Sequence, residues 1–346
     1  MLIGLRLLGA VLGVIFVLYG TLGFRARRAS RATLLTSLVF GLGLLVLALS
    51  PAAAFTIRDW FGLPDDNLTA LVSTLVLSTL VLGVAIVVAA ARIDRLEITL
   101  DRQLLAQCLD SFHFPDRAPR GGIAVVIPAL NEAENLPPVL DAIPDTVAGL
   151  PVVEIVADDG SHDRTRDVSI AHGAGVVSNL VNRGGGAALR LGYLAAARLD
   201  PRVVVTMDAD GQHDPAELER LVEPVLSGRA ELVIGSRVLG AHDPANAARR
   251  LGVHVFGVFL SLLGAARLTD VASGYRAFEP DALARLTLRE DQFHTGETIM
   301  AARRHRLRIT EVPITISLRV HGESKKPKTL RYGFGFLRAS VRAWLR

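Results

Sequence analysis

Two aspartates, Asp208 and Asp210, stand one residue apart in the stretch MDADGQHDP, directly after the apolar run VVVT. If the strand predicted for that run continues through them, both carboxylates project to the same side. Two like charges that close are unfavourable unless they share a cation or a proton, and oxygen ligands suit Mg²⁺ or Mn²⁺ held jointly with a phosphate. The pair therefore predicts a divalent-cation site, with Gln212 or His213 completing its ligands.

The same stretch also fits a structural explanation, in which its acidic residues cap a helix. Asp214 followed by Pro215 is typical of a helix start, where an aspartate accepts backbone N–H groups and proline occupies the first turn. Capping accounts for Asp214 but leaves Asp208 and Asp210 without a role. We therefore expect those two aspartates to bind a cation and Asp214 to cap a helix.

A glycine-rich stretch, NRGGGAALRLG, begins at Asn182 and superficially resembles a dinucleotide-binding fingerprint. Its glycine spacing differs from that fingerprint, no well-placed acidic residue follows it, and the chain has no P-loop lysine motif. A Rossmann dehydrogenase is therefore disfavoured. A glycine-rich helix start still lets backbone N–H groups approach a phosphate, which is the role expected here.

The elements that must position these residues alternate between short β-rich runs and helical stretches from Ile123 onwards. The predicted strands are IAVVIPA, VVEIVAD, GVVS, VVVTMD and ELVIGS, with helices after Glu132, Asp163, Gly184 and Pro215. Such alternation favours a parallel sheet with helices on both faces, and ligands of these sheets bind at the carboxyl ends of the strands. The polar and small residues that follow each strand suit that position.

The N-terminal part of the chain is more apolar than the rest. Hydrophobic residues make up 50% of the 346 residues and the mean hydropathy is +0.38, which is too apolar for an ordinary soluble domain. Three runs, Leu2 to Phe24, Leu34 to Leu49 and Leu68 to Ala91, are near the length that a bilayer requires. Arginines crowd the first loop and follow the third run, so we predict an integral protein of the cell membrane with its N-terminus outside and everything after Ala91 cytoplasmic. A cleaved signal peptide is disfavoured because the first run is long and arginines follow it.

Charge and cysteine content exclude further classes. Cys108 is the single cysteine, so there is no intrachain disulfide framework and no cysteine zinc site. The isoelectric point of about 9.6 is compatible with nucleic acid, but the arginines lie beside the apolar runs and at the C-terminus with few aromatic residues among them. An anionic membrane surface accounts for them better, and no nucleic-acid partner is expected.

Four segments are predicted along the chain. Residues 1–92 form a three-helix transmembrane domain, and 93–122 form an amphipathic helix followed by the linker PDRAPRGG. Residues 123–325 form the α/β domain, and 326–346 form a basic amphipathic helix that lies at the membrane interface or folds back onto its own domain. The helix from Ile93 either pairs with a second copy, giving a homo-oligomer, or packs on the α/β domain.

Six motifs occur in order in the α/β segment: IPALNEAENL, DDGSHDRT, MDADGQHDP, GSR, DVASGYRAF and RVHGESK. Together they resemble the family 2 glycosyltransferases of GT-A fold, most closely the branch of dolichyl-phosphate mannosyltransferase and its bacterial and archaeal relatives. The resemblance covers roughly Ile123 to Lys325 and implies a Rossmann-like, mainly parallel α/β catalytic domain. The N-terminal region also resembles a small membrane domain that prokaryotes sometimes join to such enzymes.

The resemblance assigns the nucleotide-diphosphate sugar to residues of the first three motifs. It implies that the base and ribose are held by Pro128, Asn131, Glu132, Asp158 and Asp159. It further implies that Asp208, Asp210 and Gln212 bind the cation and bridge it to the diphosphate, so that Asp210 is also a catalytic residue.

Basic residues of the later motifs are expected at phosphates. Arg237, and Arg249 or Arg250, fall where relatives bind the phosphate of a lipid acceptor, since arginine suits a planar, bidentate phosphate contact. Attraction to lipid headgroups is the alternative for Arg249 and Arg250. Positive charge near a departing diphosphate stabilises it. The residues that the resemblance places near the sugar and that diphosphate are Asp270, Arg276, Arg319, Ser324 and Lys325.

Two positions leave alternatives open. Glu297 stands where relatives have a glutamate facing the sugar or acceptor, and it is expected either as a general base or as an exposed helix residue. Many relatives carry a lysine where Gly185 stands, so phosphate contacts from the glycine-rich loop would fall to Arg183 or Arg190.

The resemblance, taken together with the apolar runs, implies an inverting polyprenyl-phosphate glycosyltransferase. It would move mannose or glucose from a nucleotide-diphosphate sugar to dolichyl or undecaprenyl phosphate at the cytosolic membrane face. GDP-mannose is the first choice of donor and UDP-glucose the second, with Mg²⁺ or Mn²⁺ as cofactor. One alternative is a membrane-anchored glycosyltransferase acting on a lipid or glycan hydroxyl, with Glu297 as base. Another is a non-catalytic nucleotide-sugar-binding scaffold, against which the pair Asp208 and Asp210 argues.

Overall fold

The computed structural model describes two N-terminal helices and most of an α/β domain. The described residues are 2–25, 31–50, 82–84, 86, 88–89, 92–93, 96, 99–116, 120–240, 268–292, 294–317 and Gly335. The chain divides into two compact units, built mainly from Met1–Asp101 and from Arg102–Trp344.

The first unit contains two long apolar helices, α1 over Leu2–Arg25 and α2 over Arg31–Leu49. They approach closely where side chains are absent, since a Cβ added to Gly13 would lie 2.8 Å from the carbonyl oxygen of Gly41. Many of their large apolar side chains are exposed, among them Leu7, Val11, Ile15, Leu18, Val39 and Leu42. The pair therefore has an apolar outer surface as well as an apolar contact.

The membrane predictions rest only partly on described residues. The first two apolar runs coincide with α1 and α2, whereas the run 68–91 and the helix 326–346 lie largely outside the described residues. Across the part of the chain that the structure describes, no helix is long and apolar enough to qualify as a membrane span. The three-span arrangement and its orientation stay predictions.

An eight-stranded sheet forms the centre of the second unit. Its strands are β1 (Ile123–Ala129), β2 (Thr146–Val147), β3 (Leu150–Asp158), β4 (Gly175–Ser178), β5 (Val203–Thr206), β6 (Leu232–Ser236), β7 (Arg276–Phe278) and β8 (Ile309–Pro313). The order is β2-β3-β1-β5-β7-β6-β8, and β4 pairs with β3. β1 pairs in parallel with β3 and β5, and β3 with β4, which confirms the predicted parallel arrangement.

One strand departs from the predicted pattern. β7 is antiparallel to both β5 and β6, between which it lies, so the sheet is mixed rather than wholly parallel. β6 and β8 then continue the sheet in parallel. The segment around DVASGYRAF therefore enters the middle of the sheet, beside the strand that leads to Asp208.

Helices follow the strands as the sequence predicted. They are α3 (Leu136–Ala142), α4 (Thr165–Ala171), α5 (Gly185–Ala197), α6 (Leu218–Leu226), α7 (Pro280–Arg285) and α8 (His294–Arg304). A single 3₁₀ turn, Pro215–Glu217, precedes α6, and the Asp214 carboxylate accepts the N–H of Ala216 at 2.9 Å. The capping role expected of Asp214 is thus confirmed.

The core lies on both faces of the sheet. On β1, Ala124 and Val126 belong to the cluster that includes α5, whereas Ile123, Val125 and Ile127 belong to the cluster that includes α6. This alternation follows from the two-residue period of a strand. Each fully buried aliphatic side chain contributes about 1.5–3 kcal/mol, so the central strands give firm support to the loops at their carboxyl ends.

The predicted helix from Ile93 is helical over residues 99–110. Near its C-terminal end, Cys108 is buried as a free thiol. Ile93, Leu96 and Leu100 are instead more than half exposed, at 56%, 62% and 58%. The helix thus buries its C-terminal end only.

Candidate active site

The two aspartates lie in a loop after β5 and not on the strand itself. β5 ends two residues before Asp208, so the shared strand face suggested by the sequence does not form. The loop closes on itself instead, because the N–H of Asp208 donates to Nδ1 of His213 at 3.1 Å and the N–H of Gln212 donates to Oδ1 of Asp210 at 3.2 Å. The His213 ring stacks on Tyr275 with centroids 4.8 Å apart, which anchors this loop to the DVASGYRAF segment.

The Asp208 carboxylate sits against a glycine. A Cβ added to Gly274 would lie 2.8 Å from Oδ1 of Asp208, closer than real Cβ contacts permit. The carbonyl oxygen of Gly274 accepts the hydroxyl of Thr206, on β5, at 2.7 Å. The missing side chain therefore lets the carboxylate lie directly against the backbone that precedes β7.

A buried arginine supplies positive charge next to this carboxylate. Arg276 is 2% exposed, and its guanidinium donates to the carbonyl oxygens of Ser273, Val271 and Thr295 at 2.9, 3.1 and 3.2 Å. Burial lowers its pKa to about 10, while the nearby Tyr193, Asp270 and Asp208 act in the opposite direction. The group stays protonated at neutral pH. Arg276, expected near the sugar and diphosphate, thus holds two carbonyls of the loop before β7 and one in the first turn of α8.

The described residues offer a divalent cation two carboxylates and one amide. No cluster of three or more His, Cys, Asp or Glu side chains suited to a metal ion occurs among them. A cation shared with a diphosphate needs few protein ligands, because Mg²⁺ keeps waters and phosphate oxygens around it. Nε2 of Gln212 donates to the carbonyl of Ser317 at 3.2 Å, which directs the amide oxygen away from Ser317. Nδ1 of His213 is already used by the N–H of Asp208. Asp208, Asp210 and Gln212 therefore fit such a cation.

Hydrogen bonds tie the turns after β1 and β3 together. The N–H of Asn131 donates to Oγ of Ser161 at 2.8 Å, and the N–H of His162 donates to Oδ1 of Asn131 at 2.8 Å. The N–H of Glu132 donates to Oγ1 of Thr165 at 2.9 Å. Because these contacts join residues 30 to 33 positions apart, they hold two strand ends at one place.

The residues expected to hold the nucleotide lie in or beside these turns. Pro128 lies on β1, and Asp158, at the end of β3, accepts the N–H of Ser161 at 3.0 Å. Glu132 is 8% exposed and accepts Nδ2 of Asn135 at 2.6 Å. The structure brings together at adjacent strand ends Pro128, Asn131, Glu132, Asp158 and Asp159. Their contacts with a nucleotide stay a prediction.

Asp159 has a structural task that the sequence did not indicate. Its carboxylate, 3% exposed, accepts Nδ2 of Asn179 at 2.9 Å and the backbone N–H groups of Arg183 at 3.0 Å and Gly184 at 2.6 Å. Three N–H donors satisfy a buried carboxylate. Asp159 thereby ties the end of β3 to residues 183–186, named here the glycine-rich turn.

Arg237, expected at the acceptor phosphate, forms an ion pair inside the domain. Its Nε and Nη2 donate to the carboxylate of Asp270 at 2.5 and 3.1 Å, and Asp270 is fully buried. The N–H groups of Thr269 and Asp270 donate in turn to Glu311 at about 2.9 Å. The guanidinium is held in one orientation, and Nη1 is the nitrogen that the pair with Asp270 does not use.

Glu297 is buried, at 1% exposed, so it is not the exposed helix residue that was one expectation. Its two carboxylate oxygens accept the backbone N–H groups of Arg289 and Glu290, both at 2.9 Å. Because each oxygen accepts a backbone N–H, the carboxylate is suited to holding the loop that contains Arg289 and Glu290. Whether it also acts as a base stays a prediction.

Five expected site residues lie outside the described part of the chain. They are Arg249, Arg250, Arg319, Ser324 and Lys325. Of the residues that matter at the site, the sequence did not single out Gly274, Asp291 or Glu311. For Gly274 the available signal was the glycine within DVASGYRAF, because a glycine often marks a place where the backbone approaches another group closely.

Comparison with known proteins identifies the family. Residues 124–287 match the domain described as Glycosyl transferase family 2. The chain is 35% identical over 214 residues to an undecaprenyl-phosphate mannosyltransferase of Micrococcus luteus, covering 59% of this chain and 86% of that protein. It is 32% identical over 219 residues to a polyprenol monophosphomannose synthase of Mycolicibacterium smegmatis, covering 58% and 79%.

Solved structures give the same picture of the fold. Glucosyl-3-phosphoglycerate synthase of Mycobacterium tuberculosis, crystallised with Mn²⁺, UDP and glucosyl-3-phosphoglycerate, superposes with a TM-score of 0.51 at 25% identity. The match covers 64% of this chain and 80% of that one. The α/β domain with its mixed sheet is therefore of the GT-A type, and the chain belongs to glycosyltransferase family 2.

Proposed function

We propose that this glycosyltransferase moves a monosaccharide from a nucleotide-diphosphate sugar to a polyprenyl phosphate, with inversion at the anomeric carbon. The observation that carries the proposal is the loop of Asp208 and Asp210, held by His213 and Gly274 after β5, which pairs with β1, the strand that leads to the expected nucleotide residues. Two relatives covered over most of their length are named for transfer to undecaprenyl phosphate and for polyprenol monophosphomannose.

A divalent cation, Mg²⁺ or Mn²⁺, fits this loop. Asp208, Asp210 and Gln212 would hold it, and it would supply positive charge to the leaving diphosphate. The structural neighbour crystallised with UDP contains Mn²⁺, which supports the choice of ion. Arg276 supports the site from within the protein, because a buried cation beside Asp208 offsets the repulsion between two neighbouring carboxylates.

The reaction needs little help from a base. A phosphate monoester has its second pKa near 6, so the acceptor is largely dianionic at neutral pH. One of its oxygens attacks the anomeric carbon, the bond from that carbon to the diphosphate breaks, and the nucleoside diphosphate leaves with the bonding electrons. The work of the protein is alignment and charge neutralisation. The burial of Glu297 against two N–H groups supports this account over transfer to a hydroxyl.

In this proposal, arginines and a lysine bind the acceptor phosphate and the leaving diphosphate. Arg237, oriented by Asp270, with Arg249 or Arg250 binds the acceptor phosphate. Arg319 and Lys325 meet the leaving diphosphate, where fixed positive charge is worth most in the transition state. Ser324 contributes to the nucleotide-sugar contacts.

The donor of the proposal is GDP-mannose, with UDP-glucose as second choice. The mannosyltransferase names of the relatives support the first, and the UDP in the neighbouring crystal structure supports the second.

The N-terminal unit holds the enzyme at the membrane, with the catalytic domain on the cytosolic face. The exposed apolar side chains of α1 and α2 and the close approach at Gly13 and Gly41 support this, since small residues at helix contacts are typical of lipid surroundings. The full chain should stay with the membrane fraction after carbonate washing. Release of the chain into the supernatant would contradict the proposed membrane anchoring, but it would leave the proposed reaction untested.

The reaction is tested by transfer of radiolabelled sugar from a panel of GDP- and UDP-sugars to short-chain polyprenyl phosphate with Mn²⁺ or Mg²⁺. Label should enter the lipid phase from one donor. Asp210→Asn should abolish transfer, whereas Asp214→Asn, which keeps an N-cap in the same motif, should retain it. Nucleotide-sugar binding without transfer to the phosphate would instead favour a hydroxyl acceptor or the scaffold.

A further inference from the structure

The glycine-rich turn meets a segment more than one hundred residues further along the chain. The N–H of Gly186 donates to the carbonyl of Asp291 at 2.8 Å, and Nη1 of Arg190 donates to the carbonyl of Glu290 at 3.0 Å. The Asp291 carboxylate forms ion pairs with Arg190 and with Arg183, the latter at 3.4 Å. The segment of residues 289–292 is therefore docked on the turn by backbone and side-chain contacts.

Three N–H groups of the turn, and that of Ala187 directly after it, are directed into the protein. Those of Arg183 and Gly184 donate to Asp159, that of Gly186 donates to Asp291, and that of Ala187 donates to the carbonyl of Gly184 at 2.9 Å. The expectation that the glycines let backbone N–H groups approach a phosphate does not hold for these four donors. Their partners are protein atoms.

The glycines are needed for close approach of the segment. A Cβ on Gly184 would collide with the carbonyl oxygen of Asp291, and one on Gly186 with that of Glu290. Gly185 differs, because the nearest atom to its added Cβ is Cε1 of His294 at 4.0 Å. Gly184 and Gly186 thus lack a side chain where the segment packs against them, whereas Gly185 does not contact the segment closely.

Two arginines, Arg183 in the turn and Arg190 in α5, serve the same contact. Arg190 is 7% exposed and Arg183 is largely buried, and both guanidiniums are turned to Asp291. The other side of the segment is held by Glu297, which accepts the N–H groups of Arg289 and Glu290. The segment is fixed from both sides, and the phosphate role considered for Arg183 and Arg190 is replaced by a role in docking it.

We propose that Asp291 is a positioning residue for nucleotide-sugar binding. Asp159 directly follows β3, and the glycine-rich turn begins five residues after the end of β4, at the carboxyl edge of the sheet where ligands of this fold class bind. By docking on the turn, Asp291 fixes the 289–292 segment at that edge as part of the wall around the donor. The proposal rests on the proposed function, since it assumes a nucleotide-sugar donor.

The test compares three variants of the full chain. Gly186→Ala forces the segment away from the turn, Asp291→Asn removes the charge that holds it, and Gly43→Ala adds the same methyl group to α2, where no side chain of the described residues lies within 4 Å. Titration with UDP-glucose and with GDP-mannose in Mn²⁺ gives the dissociation constant, and transfer assays separate KM from kcat. We expect the first two variants to weaken binding about tenfold and to raise KM more than they lower kcat, with Gly43→Ala as wild type.

A purely structural role predicts a different result. The unfolding midpoint would then fall in Gly186→Ala and Asp291→Asn, while the dissociation constant measured well below that midpoint would equal that of wild type, and the proposal would be overturned. If Gly186→Ala does not fold, Asp291→Asn decides alone. Wild-type protein that binds neither nucleotide sugar would overturn the proposed function as well, which distinguishes the two failures.

Discussion

Gly274→Ala is the most direct perturbation of the candidate cation site, because it changes no charged group. In the structure an added Cβ would lie 2.8 Å from Oδ1 of Asp208 and 3.3 Å from Oδ2. Ordinary contacts begin at 3.4 Å, so the carboxylate must move by about 0.6 Å or the backbone before β7 must yield. The backbone is restrained, since Thr206 donates to the Gly274 carbonyl and Tyr275 stacks on His213.

The expected loss follows from that displacement. Misplacing a catalytic group by 1 Å costs about 100-fold in rate, so a shift of about 0.6 Å should reduce kcat/KM about 10- to 100-fold. This corresponds to about 1.4–2.7 kcal/mol of transition-state stabilisation. Overpacking should also reduce the free energy of unfolding by about 1–3 kcal/mol.

Two measurements check the reasoning. Initial rates of sugar transfer and Mn²⁺ affinities, the latter from electron paramagnetic resonance of the free ion, are measured for Gly274→Ala, wild type and Gly43→Ala. The last variant adds the same methyl group to α2, where no side chain of the described residues lies within 4 Å. A folded Gly274→Ala protein that transfers sugar and binds Mn²⁺ within twofold of wild type would refute the role assigned to this contact.

Two further predictions concern buried carboxylates. Asp270→Asn should lower the free energy of unfolding by about 3–5 kcal/mol in urea titrations, because it leaves the guanidinium of Arg237 without its carboxylate partner, and a loss below about 1 kcal/mol would contradict this. The pKa of Glu231 is lowered from 4.5, chiefly because its carboxylate accepts the backbone N–H of Arg308. The ionised carboxylate therefore stabilises the fold fully above pH 4.5, and this contribution is lost as the pH falls through the lowered pKa. In urea titrations Glu231→Gln should therefore cost about 1 kcal/mol at pH 7, and this cost should shrink as the pH falls through the lowered pKa, whereas a cost that does not change with pH would show that the charge does not matter.

The strands were predictable where apolar runs are long enough to show a pattern. IAVVIPA and GVVS coincide with β1 and β4, because each run is β-rich and is followed by turn residues. β7 was not predictable, since it has three residues and no visible alternation. It exists because β5 and β6 both offer it hydrogen-bonding partners, and such pairing between distant segments has no local signal.

The site shows the same division between local and distant contacts. The cap at Asp214 was predicted because its partner, the N–H of Ala216, is two residues away. The burial of Glu297 was not, because its partners are backbone N–H groups, which carry no side-chain signature. The glycine-rich turn was recognised as a place of close approach, but the approaching group, Asp291, lies too far along the sequence to be inferred.

The position of β7 in the middle of the sheet also sets an order of events during synthesis. β5 and β6 do not pair directly, so β6 cannot join the sheet until residues 276–278 have left the ribosome, and β8 follows later still. Gly274 and Arg276 follow Asp208 by more than sixty residues, which is about 3–13 seconds at ordinary rates of translation. During that interval the nascent chain carries both aspartates and His213 without Gly274, and the segment that joins β6 to the sheet is also the one that brings this glycine to the site.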